Sequence, residues 1–169
     1  FYDSYSPVIA MAGCHRRAVP LRPQGRGFAI DIDALRRAVT KKTKAIIVNS
    51  PHNPTGMVAT DDELRALAEL AVSANLLVIT DEVYEHLVFE GKHIPLAGLP
   101  GMRDRTVTIS SAGKTFSFTG WKIGWMSGPA PLVAAARTAK QFLTFVNGGP
   151  FQPAIAVGLM LPDSYFEAL

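Results

Sequence analysis

Apolar residues follow two rhythms along this chain. Short continuous apolar runs, Ala45-Ile46-Ile47-Val48, Leu76 to Thr80 and Thr106 to Ser110, are bounded by polar or Pro-rich stretches and read as buried strands of a parallel sheet. Between the first two, Thr60-Asp61-Asp62-Glu63 forms a capping box that opens an amphipathic helix to about Ala74. Asp31-Ile32-Asp33 caps a helix to Val39, and Asp3 to Ala12 reads as a short helix closed by Gly13. Arg17 to Arg22 reads as a strand, and Asn49 to Gly56 as a loop. Ile123 to Ser127 is a further strand. The gap from Ser111 to Lys122 is too short for a helical crossover, so that strand is expected to run antiparallel to its predecessor. Pro131 to Phe145 and Phe151 to Leu161 read as helices. Strand, helix, strand at this spacing predicts an α/β doubly wound sheet.

Bulk properties narrow the function without choosing it. The 169 residues are 48% apolar, enough for a real core, and the net charge of +3 is mild. Lys and Arg are spread out; the densest cluster, Lys41, Lys42 and Lys44, reads as a solvated loop, so no nucleic-acid partner is expected. The single cysteine, Cys14, reads as a small buried residue, allows no internal disulfide and suits a reducing cytoplasm. His15, His52, His86 and His93 lack metal-ligand spacing, and no metal is expected. No stretch approaches the roughly 20 apolar residues of a membrane span, and no signal peptide is expected. Both ends read as internal to a longer protein.

Candidate chemistry gathers at strand ends, where ligands bind in open α/β sheets. Asn49 to Asn53, Asp81 to Tyr84 and Ser110 to Lys114 all follow inferred strands. A carboxylate at the end of a buried strand, as at Asp81, is costly unless paired; it reads either as a structural cap or as an anion facing a cationic ligand atom. Lys114 lies among small residues in Ser-Ser-Ala-Gly-Lys-Thr, and a catalytic lysine needs desolvation or nearby positive charge, which Lys122 can supply in part. Either lysine alone also reads as an ordinary surface residue. Ser111 to Lys114 matches Ser-x-x-Lys of β-lactamase-type enzymes, but no Ser-Asp-Asn or Lys-Thr-Gly accompanies it. Asn53-Pro54-Thr55-Gly56 is turn chemistry, and its amide can also meet an anionic oxygen. Glu82 and Glu85 read as solvated or structural, and Trp121, Trp125 and Ala134 to Ala136 as packing.

Taken in order, Asn49-Ser-Pro-His-Asn-Pro-Thr-Gly56, Asp81-Glu-Val-Tyr84 and Ser110-Ser-Ala-Gly-Lys-Thr-Phe-Ser-Phe-Thr-Gly-Trp-Lys-Ile-Gly-Trp125 resemble the class I/II aminotransferases, PLP (pyridoxal 5′-phosphate) enzymes of fold type I. The resemblance implies the central part of the large PLP-binding domain over residues 1–169: a mostly parallel sheet with one antiparallel strand and helices on both faces. It implies that Lys114 forms the internal aldimine and later acts as general base. Asp81 would pair with the pyridine nitrogen, so that the ring accepts the electrons of a carbanion. Tyr84 and Asn53 would hydrogen-bond the ring's phenolate oxygen, Ser111 and Lys122 would hold the phosphate, and the Asn53–Pro54 bond would be cis. Ping-pong transamination between an amino acid and a 2-oxo acid, in a cytoplasmic homodimer, would follow. A Gly-containing phosphate loop, an aromatic stacked on PLP and residues for the partner's site are expected upstream of Phe1. The small domain and the carboxylate-clamping arginine are expected downstream of Leu169. By itself the chain would then be a poor catalyst.

Within the family, Gly120 to Trp125 and the stretch from Ala139 through Pro150-Phe-Gln-Pro-Ala are most similar to the kynurenine/glutamine transaminase branch, and the latter stretch to N-succinyldiaminopimelate aminotransferases of lysine biosynthesis. In relatives the loop around Val146-Asn147-Gly148-Gly149 reaches toward the neighbouring subunit's substrate pocket; Asn147 and Gly148 stand where bulkier residues occur in the kynurenine enzymes, which implies a pocket open to an acylated side chain. Broad-specificity transamination and cysteine-conjugate β-lysis are the same-fold alternatives. A PLP-sensing domain of a transcription regulator and an inactive remnant are the readings from other classes.

Overall fold

The computed structural model describes residues 1–169. A four-stranded sheet carries the molecule, in the order β3 (Ala45–Asn49), β4 (Leu77–Asp81), β5 (Thr106–Ser111) and β6 (Gly124–Ser127). The first three strands are parallel, and β6 runs antiparallel to β5, as the short connection requires. The register pairs Asn49 with Asp81 and Asp81 with Ile109, so the polar strand ends finish side by side.

Two helices cover one face of this sheet. In α2 (Ile32–Ala38), the Asp31 side chain accepts a hydrogen bond from the Ala34 N–H at 2.8 Å. In α3 (Asp61–Ser73) the capping box forms as the sequence predicts. Leu64, Leu67, Ala68 and Ala71 of α3 meet Ile46 and Val78 of the sheet and Leu96, Leu99 and Met102 of the connection to β5; Leu35 packs against the same core. Glu63 does more than cap. One carboxylate oxygen accepts from the Thr60 N–H at 2.8 Å and the other from the Ile30 N–H at 2.6 Å, tying the chain before α2 to the start of α3.

The opposite face, which carries Asp81, is open over much of its area: Ile47, Leu77 and Ile109 are 37%, 40% and 42% exposed. Helix α1 (Tyr5–Met11) reaches Asp81 through Tyr5. Residues Ala112–Thr115 form the one-turn helix α4 after β5, followed by α5 (Ala130–Leu143), α6 (Phe151–Gly158) and α7 (Asp163–Glu167). Ile155 of α6 packs on Ala112 and Ile123 with Phe116, Phe118, Trp125 and Phe151 around them.

Several sequence expectations change. No strand forms over Arg17 to Leu21; a hairpin forms later, β1 (Arg22–Gln24) against β2 (Gly27–Ala29). Pro20 cannot donate to a ladder, and Gly25, at φ 58°, supplies the left-handed turn. Cys14 is exposed, just past Gly13 at the loose end of α1. Trp121 is half exposed against Phe118 and Phe151, and Ala134 and Ala135 are exposed on α5. Helix α7 lies beyond the helical pattern read from the sequence.

Glu82, read as solvated or structural, is interior. Its carboxylate accepts from His93 Nε2 at 2.8 Å, the side chains being 3% and 9% exposed. Next to it, Glu85 accepts from Ser110 Oγ at 2.6 Å. One oxygen of Glu82 and Nδ1 of His93 have no partner, so the histidine is the one side chain bonded to the Glu82 carboxylate. Both ties can be tested by unfolding in urea. Glu63→Ala should cost about 1–3 kcal/mol, with Glu63→Gln losing less, because two backbone N–H groups lose their acceptor. His93→Ala should cost about 3 kcal/mol by the same measurement, because it strands a buried carboxylate, and Glu82→Leu/His93→Leu should recover part of that loss.

Candidate active site

The row that pairs Asn49 with Asp81 sets the floor of the site. Asn49 is buried, and its amide nitrogen donates to the carbonyl oxygens of Asp81, at 2.9 Å, and Pro51, at 3.1 Å. Its amide oxygen accepts from the Asn53 N–H at 2.8 Å. One side chain thereby fastens the loop after β3 to the end of β4 and brings Asn53 beside Asp81. Both Ser50–Pro51 and Asn53–Pro54 are cis; the second was expected, the first was not. Asn49 belonged to the polar cluster seen in sequence, but nothing in sequence distinguished a hub from a ligand contact.

A cavity of about 440 Å³ opens at these strand ends. Asn53, Asp81, Tyr84, Ser111, Lys114 and Lys122 all line it. The six cofactor-binding positions named from the sequence thus come together from three strand ends and the turn after α4. Tyr84 reaches the cavity because the chain turns after β4, with the Glu85 N–H bonded to the Glu82 carbonyl at 2.8 Å. Lys114 lies on α4, its ammonium 5.6 Å from the centre of the Tyr84 ring, and makes no salt bridge. Lys122 adopts the left-handed conformation (φ 56°) at the end of the 3₁₀ turn Thr119–Trp121.

Asn147 and Gly148 do not line this cavity. The Asn147 amide donates to the Lys122 carbonyl at 2.6 Å, so it braces the turn that presents Lys122. Gly148 has φ 52°, and a Cβ there would stand 2.1 Å from Ile123 Cδ1, so its smallness serves a close approach.

Two residues that sequence reasoning left out belong to the site. Tyr2 lines the cavity and gives it an aromatic wall from within the chain, where one was expected only upstream of Phe1. The Tyr5 hydroxyl donates to Asp81 Oδ2, and its ring meets Tyr2 edge-on at 5.9 Å. Burial first, then the hydrogen bond and the charge of Asp81, push the Tyr5 phenol well above its ordinary range. The signal for both was the aromatic spacing Phe1-Tyr2-x-x-Tyr5 ahead of a helix, which is silent without the fold.

The donor set suits PLP. It offers one amine for a carbonyl carbon, one carboxylate for a ring N–H, a phenol and an amide for an anionic ring oxygen, and hydroxyls with a second ammonium for a phosphate. At Gly113 a Cβ would stand 3.3 Å from Thr119 Cα, so its lack of a side chain lets the turn that carries Thr119 pack closely against α4. Elsewhere, ligand atoms of Glu82, Glu85 and His93 lie within 4.8 Å of one another, behind the turn that presents Tyr84. No helix is long and apolar enough to cross a membrane.

Comparison with known proteins agrees with this geometry. The sequence profile of "Aminotransferase class I and II" matches residues 1–168. A probable N-succinyldiaminopimelate aminotransferase of Mycobacterium tuberculosis is 65% identical over 170 residues, covering 100% of this chain and 43% of the relative. Kynurenine–oxoglutarate transaminase 3 of Rattus norvegicus is 43% identical over 185 residues, covering 100% of this chain and 41% of the relative. Among solved structures, N-succinyldiaminopimelate aminotransferase from M. tuberculosis superposes with a TM-score of 0.97 at 65% identity, covering 99% of this chain and 44% of that one. YbdL of Escherichia coli, described as having a methionine aminotransferase function, gives 0.92 at 37% identity, covering 99% and 44%. The chain thus spans less than half the length of these relatives, 43% for the first of them, and lies within the part they share. On the profile match over residues 1–168 and these identities, the chain belongs to the aminotransferase class I and II family of PLP-dependent enzymes.

Proposed function

We propose that this cavity holds PLP and that the full-length protein transfers an amino group from an amino acid to a 2-oxo acid. The observation that carries the reading is the convergence of Lys114, Asp81, Tyr84, Asn53, Ser111 and Lys122 on one cavity at the strand ends. Bound PLP supplies an electron sink for the substrate's α-carbon.

The chain's own groups do the rest. Lys114 would hold the cofactor's carbonyl carbon covalently through Nζ. The same Nζ, beside the Tyr84 ring, would serve as the base that takes up and returns the substrate's α-proton. The Asp81 carboxylate pairs with the ring N–H and keeps a proton there. Tyr84 and Asn53 donate to the ring oxygen, and Ser111 and Lys122, with Thr119, bind the phosphate. Tyr2 supplies an apolar wall to one side.

For the substrate we favour N-succinyldiaminopimelate with 2-oxoglutarate as acceptor, in lysine biosynthesis, supported by the 65% identity to the mycobacterial relative. A broad-specificity kynurenine-type activity is the competitor, supported by the 43% identity to the rat enzyme. A homodimer is the assembly we propose: Phe142, Leu143, Phe145 and Val146 form an exposed apolar run at the end of α5, a surface that suits a second copy. A cytoplasmic location fits the lone free thiol.

Two experiments test the reading. After incubation of the full-length protein with PLP and borohydride reduction, peptide mapping should find the phosphopyridoxyl label on Lys114, and Lys114→Ala should carry none; label elsewhere would remove the central claim. Assayed with N-succinyldiaminopimelate and with kynurenine, the full-length protein should prefer the former by at least about tenfold in kcat/KM, a difference of one pocket's worth of contacts. Turnover of kynurenine alone would reverse the substrate assignment and leave the transamination reading intact.

A further inference from the structure

Asp81 is fixed by its backbone and left half-held by its side chain. Its carbonyl oxygen accepts from the Ser50 N–H at 3.2 Å and the Asn49 amide at 2.9 Å, which sets the position of the residue. On the carboxylate, Oδ1 has only a long 3.3 Å contact from the Val83 N–H. The Tyr5 hydroxyl on Oδ2 is therefore the one strong bond that sets the plane of the carboxylate, and it comes from a helix 76 residues away in sequence. No Lys, Arg or His makes a salt bridge with Asp81.

The same tyrosine touches the other wall of the cavity. Its ring packs edge-on against Tyr2, a cavity-lining residue. Tyr5 itself does not line the cavity, so it acts through its neighbours.

We propose that Tyr5 is a positioning residue for the cofactor site, holding the Asp81 carboxylate in the plane that receives a ring N–H and bracing the Tyr2 wall. The inference rests on the reading of this cavity as a PLP site. A phenol is a suitable clamp because it gives one directional O–H bond from a rigid ring. Its own acidity is suppressed by burial and by the neighbouring carboxylate, so it stays a donor throughout the working range of pH. A hydrogen bond to a charged acceptor is also among the stronger kinds, so its loss should be measurable.

The test is a double-mutant cycle on the full-length protein, with Tyr5→Phe in the wild-type and Asp81→Asn backgrounds and PLP affinity read by absorbance titration. Removal of one oxygen leaves the ring and its packing in place. We expect about tenfold weaker PLP binding in the wild-type background, a shifted pH midpoint of the visible band of bound PLP, and less than about twofold change in the Asp81→Asn background. A general loss of stability would weaken both backgrounds alike, and that result, or no loss in either, would overturn the proposal. Borohydride labelling of the same wild-type preparation separates the two readings. An unlabelled Lys114 refutes the PLP site itself, whereas a labelled Lys114 with unchanged Tyr5→Phe affinity and pH midpoint refutes only the role of Tyr5.

Discussion

The pairing of Asn49 with Asp81 across β3 and β4 is the constraint on which the site depends. Parallel strands end at the same edge of a sheet, so a one-residue change of register would send Asp81 to the other face. Asn49 then converts this alignment into a clamp by bonding the carbonyl of Asp81, the carbonyl of Pro51 and the N–H of Asn53. Buried polar groups demand such partners, and here the demand fixes a loop that would otherwise be free to vary.

Beyond β4 the chain divides its side chains between two jobs. Asp81 and Tyr84 face the cavity, while Glu82 and Glu85 turn inward to His93 and Ser110. The inward pair anchors a turn that has no ladder of its own, at the cost of burying a carboxylate against one histidine. The chemistry on the front of this turn and the stability on its back are therefore linked through one short stretch of backbone.

The lysine side of the cavity is built differently, from small residues and tight turns. Gly113 lets the Thr119 turn approach closely and accepts the Thr119 hydroxyl on its carbonyl, and Lys122 sits in a left-handed conformation with its carbonyl held by Asn147. Asn147 and Gly148, read from sequence as pocket residues, brace this region from outside the cavity.

Periodicity and caps were enough to determine the parallel strands, the antiparallel β6 and the capped helices α2 and α3, because local propensity is written in neighbouring residues, while the family resemblance of the ordered motifs singled out Lys114, Asp81, Tyr84, Asn53, Ser111 and Lys122, which the fold gathers around one cavity. The hairpin of β1 and β2, the interior Glu82–His93 pair and the positions of Tyr2 at the cavity and Tyr5 on Asp81 were decided by tertiary structure alone. Each depends on residues far apart in sequence, 76 positions in the case of Tyr5 and Asp81, and no local pattern carries the distance or direction between such residues until the sheet has set them side by side.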